Sequence, residues 1–327
     1  TKRTVDLIDY IFTPIIIILG LIGNTLSIHI MFKKRNRKTS TCIYMGILAI
    51  VDNGQMVTVL TTWLYNTIIK DMLTDDICKA TIFFTGYFAD FSIYLVILMT
   101  IDRMLAITMP FKKSWRSVPK ICILIGCLMV FIFIRTIPLI VYGYASHDNV
   151  FNQTTCSLYT KNIGDFEKML FPVLDIVIQS VLPSLSLLIC NSIIVHKLRK
   201  RKQQISSLGI VNSNSQNAIF MSWQKSVTVM LLLISFASLI LTLPMNIGMI
   251  MIPIIDEGTI HPDYIVLFEI LWRLFFLNNA VNFYLCLIGG TRFKREVKKL
   301  FQDSSLFRLF KHSTGSSDSN NVITIQI

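Results

Sequence analysis

Seven apolar stretches, each long enough to cross a lipid bilayer, run through this chain near residues 10–32, 42–68, 77–108, 118–144, 168–199, 220–253 and 264–289. A spanning helix needs about 20 residues, and its backbone must satisfy its own hydrogen bonds where no water is present. That requirement selects helices, and the absence of period-2 alternation argues against a barrel. Composition agrees: 53% of residues are hydrophobic, only 15% are charged and the mean hydropathy is +0.60, outside the range of soluble domains. The expected fold is all-α. A seven-transmembrane helix bundle occupies 1–290, a short amphipathic cytoplasmic helix 291–302, and a disordered cytoplasmic tail 303–327.

The cations fix the orientation, because Lys and Arg resist translocation and gather on the cytoplasmic side. Lys33, Lys34, Arg35, Arg37 and Lys38 follow the first span. Lys112, Lys113, Arg116 and Lys120 follow the third, Lys197 to Lys202 close the fifth, and Arg292 to Lys311 follow the seventh. The opposite connections are net acidic. The N-terminus is therefore expected outside and the C-terminus in the cytoplasm of a multi-pass plasma-membrane protein. The overall charge of +12 is a topology signal, and nucleic acid is not an expected partner. Thr1-Lys2-Arg3 leads into a span too long for a signal peptide, and the missing Met points to a trimmed or partial N-terminus.

Met99 to Phe111 reads MTIDRMLAITMPF, with Asp102-Arg103 closing the third span. The pair resembles the DRY motif of rhodopsin-like G-protein-coupled receptors. Cys78 lies 25 residues earlier, roughly 37 Å of helix at 1.5 Å per residue, so this segment runs the full depth of the membrane. In that family the acidic neighbour holds the arginine at rest, and an outward swing of the sixth helix releases it to a G protein. The resemblance also implies a disulfide from Cys78 to Cys156 in the loop after the fourth helix, which an oxidising exterior permits. The five remaining cysteines fall within or at the cytoplasmic ends of helices, where buried thiols are ordinary. The loop that carries Cys156 also holds the glycosylation sequon Asn152-Gln153-Thr154, usable only on the outside.

Polar residues inside the spans are costly in lipid unless they face the bundle. Asn24, Asp52, Ser92, Asn278 and Asn282 match the polar centre of the same family, in which the Asp, Ser and Asn positions bind a sodium ion at rest. Asp52, Ser92, Asn278 and Asn282 offer oxygen ligands of the hardness that sodium prefers. A dry hydrogen-bonded network between helices would satisfy the same groups. Beyond this ion no cofactor is expected.

Several departures locate the branch. Taking Pro244 as the proline of the sixth helix, its foot reads Trp223-Gln224-Lys225, with no acid to lock Arg103, which implies a lower barrier to activation and raised basal signalling. Ile240-Leu241-Thr242-Leu243 precedes Pro244 where the family has a toggle tryptophan. Asn282-Phe283-Tyr284-Leu285-Cys286 replaces NPxxY, the fourth helix lacks its tryptophan, and Asn191 replaces a common tyrosine on the fifth. CNSIIVHKLRKRK and NNAVNFYLC resemble the FMRFamide-receptor-like and related orphan neuropeptide branch.

Thr85 stands where amine receptors carry an aspartate, and no lysine lies between Pro262 and Gly290 to hold retinal. Amines and retinal are thus poor ligands. Asp90, Asp175 and Glu269 lie in or near the upper half of the bundle, with Arg135 and Arg273 as possible partners. Acids that pair internally are structural; one left over in a wet cavity is a landing place for a cationic ligand. A negative rim on the outer loops would steer a basic peptide inward, and Tyr87, Phe88, Tyr94, Trp272 and Phe276 offer aromatic walls. An extracellular peptide of the Arg-Phe-amide type is the expected ligand. The alternatives are a chemosensory or lipid-activated receptor and, more distantly, a transporter, although no duplicated segment supports one.

On the cytoplasmic side, Pro110-Phe111 resembles the loop element that inserts into a heterotrimeric G protein. Phe293, Val297, Leu300 and Phe301 share one face of an interfacial helix that touches membrane lipids. The Ser-rich tail offers phosphoacceptors to arrestin, and its final Ile325-Gln326-Ile327 suits a PDZ domain. The five histidines are scattered without metal spacing and neither HExxH nor GxSxG occurs, so no enzyme is expected.

Overall fold

A computed structural model of the protein describes residues 2–69, 74–109, 117–142, 144–148, 153–157, 174, 176–207, 215–251 and 262–303. Within them the chain forms α1 (Lys2–Met31), α2 (Ser40–Leu64), α3 (Asp75–Thr108), α4 (Val118–Tyr142), strands β1 (Tyr144–Asp148) and β2 (Gln153–Ser157), α5 (Leu182–Ser207), α6 (Ser215–Met251), α7 (Pro262–Gly289) and α8 (Thr291–Asp303). The first seven helices are each long and apolar enough to cross a membrane. The fold class is therefore the expected seven-helix bundle with an eighth helix after it.

Local chemistry sets the helix ends. Thr74 caps α3 by accepting the Ile77 amide, and Asp75 and Asp76 occupy its first turn, where carboxylates are favoured by the helix dipole. Pro262 opens α7 at the position that needs no amide donor. Pro14, Pro138 and Pro244 lie inside α1, α4 and α6, which membrane helices tolerate when neighbours satisfy the freed carbonyl. Two segments widen to a π-helix, Tyr65–Ile69 after α2 and Val177–Val181 before α5. In the second, the Ile178 carbonyl accepts the Tyr94 hydroxyl at 2.9 Å, tying it to α3.

Helix α3 is the hub, packing against α2, α4, α5 and α6 and against both strands. The first strand pairs with the second antiparallel, Ala145 opposite Cys156. This ribbon was not expected from the sequence, because its polar strands gain order only by pairing. One core runs through the bundle, with Leu48, Leu95, Met99, Leu187, Ile234 and Phe283 all buried. The outward sides of α1, α4 and α5 expose Ile18, Ile123, Phe131 and Leu185, the pattern of helices solvated by lipid. Close approach depends on small residues: a Cβ at Gly54 would meet the Phe88 ring at 2.5 Å. The amphipathic α8 buries Phe293 and Val297 against the bundle, and Leu300 packs beside them. The Phe301 side chain, like residues 304–327, lies outside the described residues.

Candidate functional site

Polar side chains concentrate at three depths of the bundle. At the middle, Asp52 on α2 is 0% exposed and receives three hydrogen bonds. Ser92 Oγ donates to Oδ1 at 2.7 Å, Asn279 Nδ2 to Oδ1 at 2.8 Å and Asn282 Nδ2 to Oδ2 at 2.7 Å. Asn24 on α1 joins from behind, donating to the Asn279 carbonyl at 3.1 Å. The sequence points to Asn278 for this group, whereas the structure puts Asn279 on the carboxylate. Both flank Asn282 on one helical face, and the turn of α7 brings Asn279 to the carboxylate. The amide oxygens of Asn24, Asn278 and Asn282 are buried without a donor among the described residues. Of these side chains Asn282 bonds Asp52 directly, and an acceptor oxygen left open beside a carboxylate fits a hard monovalent cation.

At the α8 end, Arg103 is 7% and Asp102 6% exposed. Arg103 Nη2 lies 3.1 Å from Asp102 Oδ2 and donates to Ser40 Oγ at 3.1 Å and to Thr41 Oγ1. Ser40 in turn donates to Asp102 Oδ2 at 3.2 Å. These hydroxyls belong to the first turn of α2, and the positive end of that helix dipole favours the nearby Asp102 carboxylate. The arginine is thus anchored to the start of the second helix. The sequence offered no signal for this, since Ser and Thr are common at helix starts.

The foot of α6 is held by a different contact. Ser226 Oγ donates to the Gly289 carbonyl at 3.0 Å and accepts from the Thr291 amide at 3.0 Å and the Thr291 hydroxyl at 3.1 Å. A Cβ on Gly289 would meet Met230 Cα at 2.7 Å, so the α7–α8 elbow passes α6 backbone to backbone. Arg35 pairs with Glu296, and Arg292 donates to Asn36 Oδ1 at 3.1 Å, fixing α8 to the α1–α2 connection.

At the opposite end, Arg273 on α7 lies 2.7 Å from both Asp9 Oδ1 of α1 and Glu269 Oε2. Trp272 stacks on Phe276 with centroids 5.4 Å apart, and Phe83, Tyr87, Phe88 and Phe133 form a second aromatic group on α3 and α4. Thr85 is half-buried on α3. Asp90 is 0% exposed and pairs with Arg135 of α4. Its charge is thus answered within the bundle by a cation of the neighbouring helix. Cys78, fully buried in the first turns of α3, is disulfide-bonded; Cys42, Cys122, Cys127, Cys190 and Cys286 are free. Cys156 lies on β2. Pro110, Phe111, Asn152 and Asp175 lie outside the described residues.

A bundle of seven membrane-length helices, with a buried Asp–Asn–Ser centre and an Asp-Arg pair at one end, defines a seven-transmembrane receptor. Comparison with protein families places residues 23–282 in the 7 transmembrane receptor (rhodopsin family), and the chain belongs to that family of receptors, not enzymes. Among similar proteins are the C-C chemokine receptor type 1 of Homo sapiens, 28% identical over 201 residues, covering 60% of this chain and 55% of that one. The somatostatin receptor type 5 of Bos taurus is 28% identical over 195 residues, 58% of this chain and 50% of that one. The somatostatin receptor type 2 of Mus musculus is 26% identical over 148 residues, 44% and 39% respectively. The chain spans about half the length of the curated relatives it matches.

Proposed function

We propose that this protein is a plasma-membrane receptor for an extracellular basic peptide, signalling through heterotrimeric G proteins, with its N-terminus outside and α8 and the C-terminus in the cytoplasm. The observation that carries the ligand class is the charge balance around Arg273. Two carboxylates, Asp9 and Glu269, share one guanidinium, which leaves a net negative charge beside the aromatic wall of Trp272 and Phe276. A guanidinium or amine on a ligand can take one of those carboxylates in a bidentate or charge-assisted bond. Asp175 is a second candidate anchor. Relatives named for chemokines and for somatostatin make a polypeptide ligand the natural class, and an amidated Arg-Phe peptide fits the field within it.

Activation in this reading is an exchange of partners by Arg103. At rest it is held by Asp102, Ser40 and Thr41, while Ser226 keeps the foot of α6 on the α7–α8 elbow. A ligand favours the active state only by binding it more tightly. Release of Ser226 lets α6 move away, and Arg103 turns to the G protein, with Pro110 and Phe111 as the neighbouring contact. A sodium ion held by Asp52, Ser92, Asn282 and the open amide oxygen of Asn278 would supply positive charge that stabilises the resting packing. The Cys78 bridge runs to Cys156 and pins the ribbon over the ligand entrance. Asn152 carries a glycan, and the tail recruits arrestin and a PDZ domain.

The test is a panel of basic amidated peptides on cells expressing the chain, read by calcium and cyclic AMP, with Glu269→Gln and Asp175→Asn alongside. A response lost in one variant at normal surface expression supports the reading. A full response in both refutes the acidic anchors, and a response only to lipids or odorants transfers the ligand to those classes.

A further inference from the structure

Between α5 and α6, at the level of their cytoplasmic halves, lies a cavity of about 340 Å³. Asn191, at the position where the resemblance expects a tyrosine, lines it and is 1% exposed. Its Oδ1 accepts from Ser235 at 3.1 Å, but its amide Nδ2 has no hydrogen-bond partner among the described residues. A buried amide left without an acceptor costs free energy, so the site lacks an oxygen. The shorter side chain also leaves unfilled the volume that a phenol ring would occupy.

The rest of the lining is graded along the membrane normal. Leu188, Val195 and Phe236 make the deeper wall together with Ser192, whose hydroxyl donates to the Leu188 carbonyl at 2.7 Å, and His196 and Arg199 stand at the rim. Leu188, Val195 and Arg199 fall at helical spacing on one face of α5, about 16 Å from first to last at 1.5 Å per residue. That is about the depth of one leaflet, from the bilayer midplane to the headgroups. Leu188 is 46% and Phe236 42% exposed, so the apolar wall is continuous with the lipid-facing surface. Lys197 and Lys200 lie beside Arg199 along α5, and all three are exposed.

We propose that this cavity is a binding site for one anionic phospholipid of the cytoplasmic leaflet. Its phosphate is held by Arg199 and His196, its ester oxygens face the Asn191 amide, and an acyl chain lies along Leu188, Val195 and Phe236. Guanidinium and phosphate match as a bidentate pair, and basic pockets between helices on the cytoplasmic side select acidic headgroups. A soluble phosphate or nucleotide would gain nothing from the apolar wall. The site rests on the orientation proposed above, which puts Arg199 on the cytoplasmic side.

The experiment is native mass spectrometry of the purified full-length chain, exchanged against phosphatidylglycerol and phosphatidylcholine in equal amounts. The wild type is expected to retain one phosphatidylglycerol in preference to phosphatidylcholine. Arg199→Gln with His196→Gln should lower that retention about fivefold or more, and Asn191→Tyr should abolish it by filling the cavity. Lys298→Gln with Lys299→Gln on α8 should leave it unchanged. Absence of preference in the wild type, equal loss in the α8 variant, or displacement by soluble glycerol phosphate would overturn the proposal. If Asn191→Tyr does not fold, the Arg199 variant still decides. Retention is read without agonist, so a failed peptide screen leaves this result standing, and a failed lipid measurement leaves the receptor reading standing.

Discussion

The ion pair between Asp90 of α3 and Arg135 of α4 gives a sharp test of how the bundle is held. Asp90 is 0% exposed and the Arg135 side chain 10%; Asp90 sits near the middle of α3 and Arg135 about two-thirds of the way along α4. Removing one partner leaves the other charge buried and uncompensated, a loss of about 3–5 kcal/mol. An unpaired arginine at the centre of a membrane helix costs a similar amount by itself, about 2.5–3.5 kcal/mol. At 1.36 kcal/mol per factor of ten, this shifts the folding equilibrium constant more than about a hundredfold. Asp90→Asn and Arg135→Met should each reduce surface expression and melt early when purified. Replacing both at once, Asp90→Leu with Arg135→Met, removes both desolvation penalties and should recover most of the loss. The assay is thermal unfolding followed with a thiol-reactive dye on Cys190 and Cys286, which are 7% and 1% exposed in the folded protein. Wild-type melting by either single variant, or a double variant no better than the worse single one, would refute the argument.

Ser226→Ala removes the hydroxyl bridging α6 to the α7–α8 elbow, about 1 kcal/mol for a neutral hydrogen bond, and should raise basal nucleotide exchange several-fold. Gly289→Ala places a Cβ 2.7 Å from Met230 Cα and should raise it further; unchanged basal exchange in both would mean that this contact does not hold the resting state. Asn279→Ala strips a donor from the Asp52 carboxylate and should cost about 1.5–3 kcal/mol of stability, more than Asn278→Ala, as measured by thermal unfolding. The opposite order would contradict the Asp52 network described here. Sodium should lower agonist affinity in the wild type and not in Asp52→Asn, and a wild type indifferent to sodium would remove the ion from the account.

The seven spans and the eighth helix were legible because apolar run length and helical periodicity are local properties. Their ends were less so. Helix α1 begins at Lys2 rather than near residue 10, since a helix can project beyond lipid and hydropathy reports only the part inside it. The π-turns and the β1–β2 ribbon depend on partners such as Tyr94 and on strand pairing, which no local pattern encodes. In the site, the residue types were legible and the pairings were not. Two cations and three acids allow several combinations, and packing chose Asp90 with Arg135 and Glu269 with Arg273. Neighbouring Asn278 and Asn279 differ by about 100° of helix rotation, too fine a distinction for sequence periodicity. The Ser40 and Thr41 hydroxyls that hold Arg103 carry no signature, because their role exists only once α2 and α3 have packed.

The central claim is that ligand binding releases Arg103 to a G protein. The direct measurement is nucleotide exchange on a heterotrimeric G protein by the purified receptor in lipid nanodiscs, with and without the activating peptide, in the wild type and in Arg103→Ala. The expected result is peptide-stimulated exchange in the wild type, and in Arg103→Ala peptide binding retained with stimulation lost. Stimulated exchange undiminished in Arg103→Ala would contradict the mechanism.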